Sequence, residues 1–286
     1  MSNPTAAMLV IGDEILSGRT RDANMHYLAG ELTKHGIDLK EVRVVSDDAP
    51  AIVAAVKALS AAVTHVFTSG GIGPTHDDIT ADAVAKAFGL PCDHDPAAMK
   101  LLGDFYAGRG IEFTASRKRM ARMPEGAAHI DNPVSVAPGF VVGNVHVMAG
   151  VPAVFQAMLD SVVPTLRTGR VLLSRSVHCP FGEGTIGEPL AKLQDTWPDI
   201  AIGSYPKHDS GKFWTEIVLR GSDEARLEEL WSAFTDSWLQ GGPDNPENIL
   251  IEVDAESAEY WDAPGGSKVV QLTNLVKAKV TGDRVR

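Results

Sequence analysis

Three short apolar runs, at residues 6–11, 37–45 and 63–68, alternate with three stretches of helical period before residue 90. Brief apolar runs between turn signals suit strands buried on both faces. After the first, Asp22 offers an N-cap for a helix carrying Met25, Leu28 and Leu32, with Gly36 beyond its end. After the second, Asp47 or Asp48 can cap a helix with Pro50 in its first turn and Ile52, Val53, Val56 and Leu59 as its apolar stripe. After the third, a helix is expected over 79–88, ended by Gly89. Short-linked β-α-β-α-β-α order implies an α/β fold, a mostly parallel sheet with helices on its faces joined by right-handed crossovers.

The rhythm then loosens. Residues 96–106 and 116–123 read as helices, and 140–142 and 145–148 as strands joined by the hairpin pair Gly143-Asn144. An amphipathic helix over 154–166 closes a first domain near 167–170. Strands at 171–177, 200–205 and 213–219 with helices at 184–193 and 223–239 form a small α+β unit. The stretch GGPDNP at 241–246 reads as a linker, and the β-like runs beyond it, at 249–253 and 268–272, are too short for a core of their own. The expected division is 1–168, 171–240 and 241–286.

The net charge of −11 over 286 residues argues against a nucleic-acid binder, which neutralises phosphates with Lys and Arg. It leaves room for a small phosphorylated ligand held by backbone groups and a metal. No run of about 18 apolar residues is present, so no membrane span is expected. The N-terminus lacks the basic region of a signal peptide, and Cys92 and Cys179 have no metal-ligand spacing. The expected compartment is the cytoplasm.

The chemistry concentrates in Thr68-Ser69-Gly70-Gly71-Ile72-Gly73-Pro74-Thr75-His76-Asp77-Asp78, between a strand and a helix. Three glycines let backbone approach a ligand closely, and free N–H groups beside a helix N-terminus favour an anion. Such a loop lies beyond the carboxyl end of its strand, where open α/β sheets bind ligands. Two carboxylates beside a phosphate repel it unless a hard cation such as Mg²⁺ bridges Asp77 or Asp78 to phosphate oxygens; the plainer reading of either Asp is helix capping. Asp13 and Glu14, with Asp22 and Asn24 following, lie at the end of the first strand on the same sheet edge, either as ligand contacts or as turn and cap residues. Arg117, Lys118 and Arg119 read either as a phosphate clamp or as a solvated helix face, with Asn132-Pro133 and Ala137-Pro138-Gly139 further along. Gly150, before Val151-Pro152 at a helix start, suits an anion or simple punctuation. The GxGxxG match at 182–187 sits outside any β-α-β unit, which argues against a dinucleotide site.

The segments GDEILSGRTRDAN, TSGGIGPTHDDITADAVAKAFG, RKRMARMPEGA, DNPVSVAPGF and MAGVP resemble the molybdopterin-binding (MoaB/Mog-like) domain, in the branch of competence/damage-inducible CinA proteins and the N-terminal part of some FAD synthases. The resemblance runs from about residue 6 to 168. It implies a three-layer doubly wound fold and either metal-dependent hydrolysis of a nucleotide pyrophosphate (ADP-ribose or FAD class) or molybdopterin binding or adenylyl transfer in molybdenum cofactor biosynthesis. It puts phosphate binding on Gly70, Gly71 and Gly73. It puts the metal (Mg²⁺, Mn²⁺ or Co²⁺) or the catalytic carboxylate on Asp77 and Asp78. It carries Asp13, Glu14, Asn24 and Lys118 as matching positions. The chain departs from the branch's PGPP-type turn at Ala149-Gly150-Val151-Pro152. By analogy with relatives, a homo-oligomer is expected. Residues 171 to about 235 look like the KH-like middle domain of CinA proteins, with Gly184–Gly187 as its GxxG; Glu183 and Glu188 beside it argue against RNA clamping. The last 50 or so residues resemble the tail of a pyridoxamine-phosphate-oxidase-like general stress protein without that barrel's N-terminal strands.

Overall fold

The computed structural model describes residues 3–209 and 211–238. The chain divides into two units, Met1–Leu173 and Ser174–Arg286.

The first unit grows from β1 (Thr5–Ile11), whose alternate residues point to opposite faces. A short α1 (Asp13–Leu16) and then α2 (Asn24–Lys34) lead to β2 (Asp38–Val45). Asp22 Oδ1 accepts from Met25 N–H, and Gly36 follows the helix at φ +65°. Next come α3 (Ala49–Ala62), β3 (His65–Ser69) and α4 (Thr80–Phe88), which Gly89 ends in the left-handed region. A small excursion follows: β4 (Cys92–His94), α5 (Pro96–Ala107), α6 (Ala115–Lys118) and β5 (Arg122–Pro124). Then β6 (Ala128–Ile130), β7 (Gly139–Val142), β8 (Val145–Met148) and α7 (Pro152–Val162) complete the unit.

The sheet order is β2-β1-β3-β8-β7-β6, with β2, β1, β3 and β8 parallel and β7 and β6 antiparallel. One face packs Ala7, Leu9, Val66, Val145 and Val147 against Ile52, Val56, Leu59 and Val84 of α3 and α4. The other packs Met8, Val10, Phe67 and Met148 against Leu28 and Leu32 of α2 and Phe155, Met158 and Leu159 of α7. This is the three-layer, mostly parallel α/β architecture expected. From β1 the chain winds outward to β2, then crosses back to place β3 on the other side of β1. The carboxyl ends of β1 and β3 therefore flank the topological switch point, where an open sheet leaves a crevice.

The expected helix over 116–123 is shorter. After α6 and one 3₁₀ turn (Arg119–Ala121), the chain extends into β5, antiparallel to β4. Met123 precedes Pro124, which disfavours helical backbone. Arg122 donates to Asp82 on α4 and to the Cys92 carbonyl, which ties the extended segment down. The β7–β8 hairpin turns at Gly143, φ +58°, with Asn144 outside the positive-φ region, a II′ pattern.

The second unit comprises β9 (Leu173–Cys179), α8 (Glu183–Thr196), β10 (Ala201–Asp209), β11 (Lys212–Gly221) and α9 (Glu224–Trp238), with sheet order β10-β11-β9. Val177, Ile186, Ile217, Leu219, Leu227 and Leu230 are buried in it. Gly184 and Gly187 lie inside α8, not in a loop. The tail runs expected at 249–253 and 268–272 lie outside the described residues. No described helix is long and apolar enough to cross a membrane.

Candidate functional site

At the switch point, Ile11-Gly12 leave β1, Ser69-Gly70 leave β3, and Ala149-Gly150 leave β8. Their ends enclose a cavity of about 510 Å³. The glycine loop is shaped by close packing. Gly70 sits at φ +108°, and a Cβ there would lie 2.3 Å from the Ile11 carbonyl oxygen. Gly71 sits at φ +69°, and a Cβ there would lie 2.1 Å from Thr80 Oγ1. Thr80 itself closes the loop, its hydroxyl donating to the Gly70 carbonyl and its N–H to the Gly71 carbonyl, both at 3.0 Å. The Gly70 N–H goes to the Met148 carbonyl. Among the described residues, the N–H groups of Gly71, Ile72 and Gly73 have no acceptor, and all three residues line the cavity. Half-buried amides left open in this way have the donor chemistry an anion needs.

Carboxylates share the cavity with these amides. Glu14, Asp47 and Asp77 line the same cavity. Asp47 accepts from the Asp13 N–H at 2.9 Å, so Asp13 contributes its backbone and holds Asp47 in place. Burial pushes the Asp47 carboxyl above the ordinary aspartate range, and the negative charges of Asp13, Glu14 and Asp77 push the same way. The nearby Thr75 hydroxyl, then its own backbone N–H, hold Asp77 below that range. Asp78 also lines the cavity, but its carboxylate is engaged within the loop, accepting from both the N–H and the hydroxyl of Thr75. This braces the loop; the helix that follows has no side-chain cap, so neither Asp takes the N-capping role of the plainer reading.

The other candidates divide. Asn24 is buried, and its amide donates to Ser69 Oγ and to the Gly150 carbonyl, both at 2.8 Å, so it ties the ends of β3 and β8 to α2. Its Oδ1 is buried with no partner among the described residues, and the residue borders a cleft of about 60 Å³ that shares Glu14, Thr20 and Gly150 with the main cavity. Thr68 is fully buried in β3 with an unpartnered hydroxyl, and it does not line the cavity. Lys118 stands with its ammonium 5.7 Å from the Phe113 ring centroid and does not line the cavity either. Its neighbour Arg119 does the clamping, on backbone: it donates to the carbonyls of Thr75 and Asp78 and fixes the acid-bearing end of the loop. Arg117 lies over the Tyr106 ring.

Sequence reasoning placed Asp47 only as an alternative cap. Asp48 takes that role, accepting from Ala51 N–H at 2.9 Å, which frees Asp47 for the cavity. The readable signal is the pair itself, because a helix needs one capping acid and the sequence supplies two. The apolar part of the lining was also missed as a unit. It is built by Met120, Val151, Met158 and the 132–137 turn.

Oxygen donors of this kind have the right chemistry for Mg²⁺ or a similar hard cation, and the mutual repulsion felt at Asp47 is what such a cation would relieve. Among the described residues no group of three or more His, Cys, Asp or Glu is placed to hold a metal ion. The donors therefore fit a cation shared with a ligand's phosphates, the usual arrangement for Mg²⁺, and not a closed protein cage.

A doubly wound domain with open amides and carboxylates lining one cavity at its switch point defines a class: an α/β domain whose cavity suits an anionic ligand at the carboxyl ends of parallel strands. Residues 7–168 match the family described as "Probable molybdopterin binding domain", and the chain belongs to that family. Residues 171–242 match the FAD synthase middle domain, and residues 216–286 match the pyridoxamine 5′-phosphate oxidase like family, so the two matches overlap at 216–242. A protein of Metallosphaera sedula is 36% identical over 79% of this chain and 89% of its own length. A "Probable FAD synthase" of Caenorhabditis elegans is 30% identical over 79% of this chain, which spans 48% of that protein. The solved structure of the protein CinA from Thermoplasma acidophilum, described as of unknown function, is 32% identical, with a TM-score of 0.53; the match covers 58% of this chain and 99% of that one.

Proposed function

We infer that the first unit hydrolyses a nucleotide pyrophosphate of the ADP-ribose or FAD class with the help of a divalent cation. The reading rests on one observation: the open amides of Gly71, Ile72 and Gly73 share a cavity with the carboxylates of Glu14, Asp47 and Asp77. The amides bind non-bridging oxygens of a diphosphate and stabilise charge that develops there. Glu14 and Asp77 would hold the cation, which when bound neutralises phosphate charge and polarises phosphorus towards attack. Asp47, with its raised proton affinity, accepts a proton from the attacking water. Water oxygen bonds to one phosphorus, the bond from that phosphorus to the bridging oxygen breaks, and two phosphomonoesters leave. The two free thiols accord with the reducing cytoplasm as the place of action.

The test is AMP release from ADP-ribose and FAD with Mg²⁺, Mn²⁺ or Co²⁺. Asp47→Asn and Asp77→Asn are each expected to cut the rate at least a hundredfold. Absence of AMP with every metal, or AMP release indifferent to both substitutions, overturns the reading. The family match carries a second reading, molybdopterin binding or adenylyl transfer, in which a bound pterin fluoresces in the purified protein and turnover of ADP-ribose is absent.

A further inference from the structure

The apolar wall of the same cavity carries an unusual turn. Val136 stands at φ +67°, the only residue other than glycine with positive φ among the described residues. A β-branched side chain in the left-handed region is strained, and such strain persists only where neighbours over-determine it. Here Asn132 does so. Its buried side chain accepts from the N–H groups of Val134 and Ser135, both at 3.1 Å, and donates to Ser135 Oγ at 2.6 Å and to the Ala137 carbonyl at 2.8 Å. Its carbonyl accepts from Val136 N–H at 3.0 Å.

The result of this bracing is the placement of one side chain. Ser135 is exposed and lines the cavity. Its oxygen already accepts from Asn132, so its own proton is left to donate. Asn132 has spent its side chain on the turn. The rest of this wall, Met120, Ala137, Val151 and Met158, offers apolar surface. A polar donor fixed among apolar groups of the cavity that also holds the open amides suits a flat heteroaromatic ring with an acceptor atom on its edge.

We propose that Ser135, held by the strained Asn132–Ala137 turn, donates a hydrogen bond to the ring of the bound ligand and makes this site selective for heteroaromatic phosphoesters over ring-free phosphates. The proposal rests on the functional reading above for its phosphate half.

Calorimetric titration of the full chain with AMP and, separately, with inorganic pyrophosphate, both with Mg²⁺ present, tests it. Ser135→Ala is expected to weaken AMP about fivefold to tenfold, the worth of one hydrogen bond, and to leave pyrophosphate unchanged. Ser135→Thr keeps the hydroxyl and is expected to keep AMP affinity within about twofold. Thermal melts of each variant show that the fold is intact; Ser135→Thr carries the test if the alanine variant melts early, since loss of its AMP affinity with pyrophosphate unaffected would then contradict a hydroxyl role. Equal weakening of both ligands, or no change in AMP, overturns the proposal. Failure of the unaltered chain to release AMP from ADP-ribose overturns the hydrolytic reading instead, and the AMP-to-pyrophosphate comparison still decides the role of Ser135.

Discussion

Two turns line the cavity, and both use left-handed backbone. At Gly70 and Gly71 the conformation carries no side-chain penalty, and close neighbours forbid any other residue. At Val136 the conformation is costly, and the hydrogen bonds of Asn132 hold it against that cost. The first turn is specified by local chemistry and the second by tertiary support. They should therefore fail differently.

Gly70→Ala should do the most damage. The new methyl meets the Ile11 carbonyl, which is backbone of a buried strand, at a φ that alanine avoids. A loss of about 4 kcal/mol is expected from these two effects together, read from denaturant melts, with ligand binding abolished. A loss below about 1 kcal/mol would show that β1 and β3 can part at little cost.

Such melts need a pH at which the core itself is silent. On the α2–α7 face, His146 stacks on Phe67 at 5.0 Å with His65 5.6 Å away, and neither ring nitrogen of His146 has a partner among the described residues. Burial first, then the neighbouring His65, depress its pKa to about 4. The unfolded chain binds a proton near pH 6.5, but the native chain resists it down to about 4. Stability from this residue is thus fully present above pH 6.5 and lost as pH falls from there to about 4, by about 3 kcal/mol. His146→Phe should flatten that part of the pH profile. An unchanged profile would mean that other groups set the acid limb.

Asn132→Ala sharpens the contrast from the other side. Removing its side chain leaves the turn without its brace, at an expected cost of about 2 kcal/mol. Val136 would then relax out of the left-handed region, visible as a shift in backbone resonances confined to the turn. The smallest effect belongs to Val136→Asn. Asparagine tolerates this conformation, so a gain of about 1 kcal/mol is expected, read as a slightly higher Tm. Destabilisation would indicate that valine's packing outweighs its strain.

The same contrast explains what could be read from residues alone. The alternating β and α runs, the caps at Asp22 and Asp48, the end signals Gly36 and Gly89 and the glycine loop are local, and each has its own residue-level cause. Arg122-Met123 was expected as helix because its extended form depends on pairing with Cys92–His94, far away in sequence. Asp47 was ambiguous beside Asp48 because its role depends on where Asp13 and Asp77 lie in space. The Asn132 turn was legible as a group of unusual residues but not as a brace, since strain at Val136 leaves no mark on composition. Charge marked Arg117, Lys118 and Arg119 alike and the resemblance singled out Lys118, whereas Arg119 is the one that reaches the loop carbonyls.

Asn24 joins Ser69 and Gly150, so the hollow is stitched from portions of chain that ribosomal synthesis delivers far apart in time. A nascent polypeptide owns no such hollow until its eighth strand has emerged. Whatever small molecule settles there would act as an inspector of finished goods, retained by completed domains and ignored by partial ones, and at saturating supply it would draw the folding equilibrium towards completion by mass action.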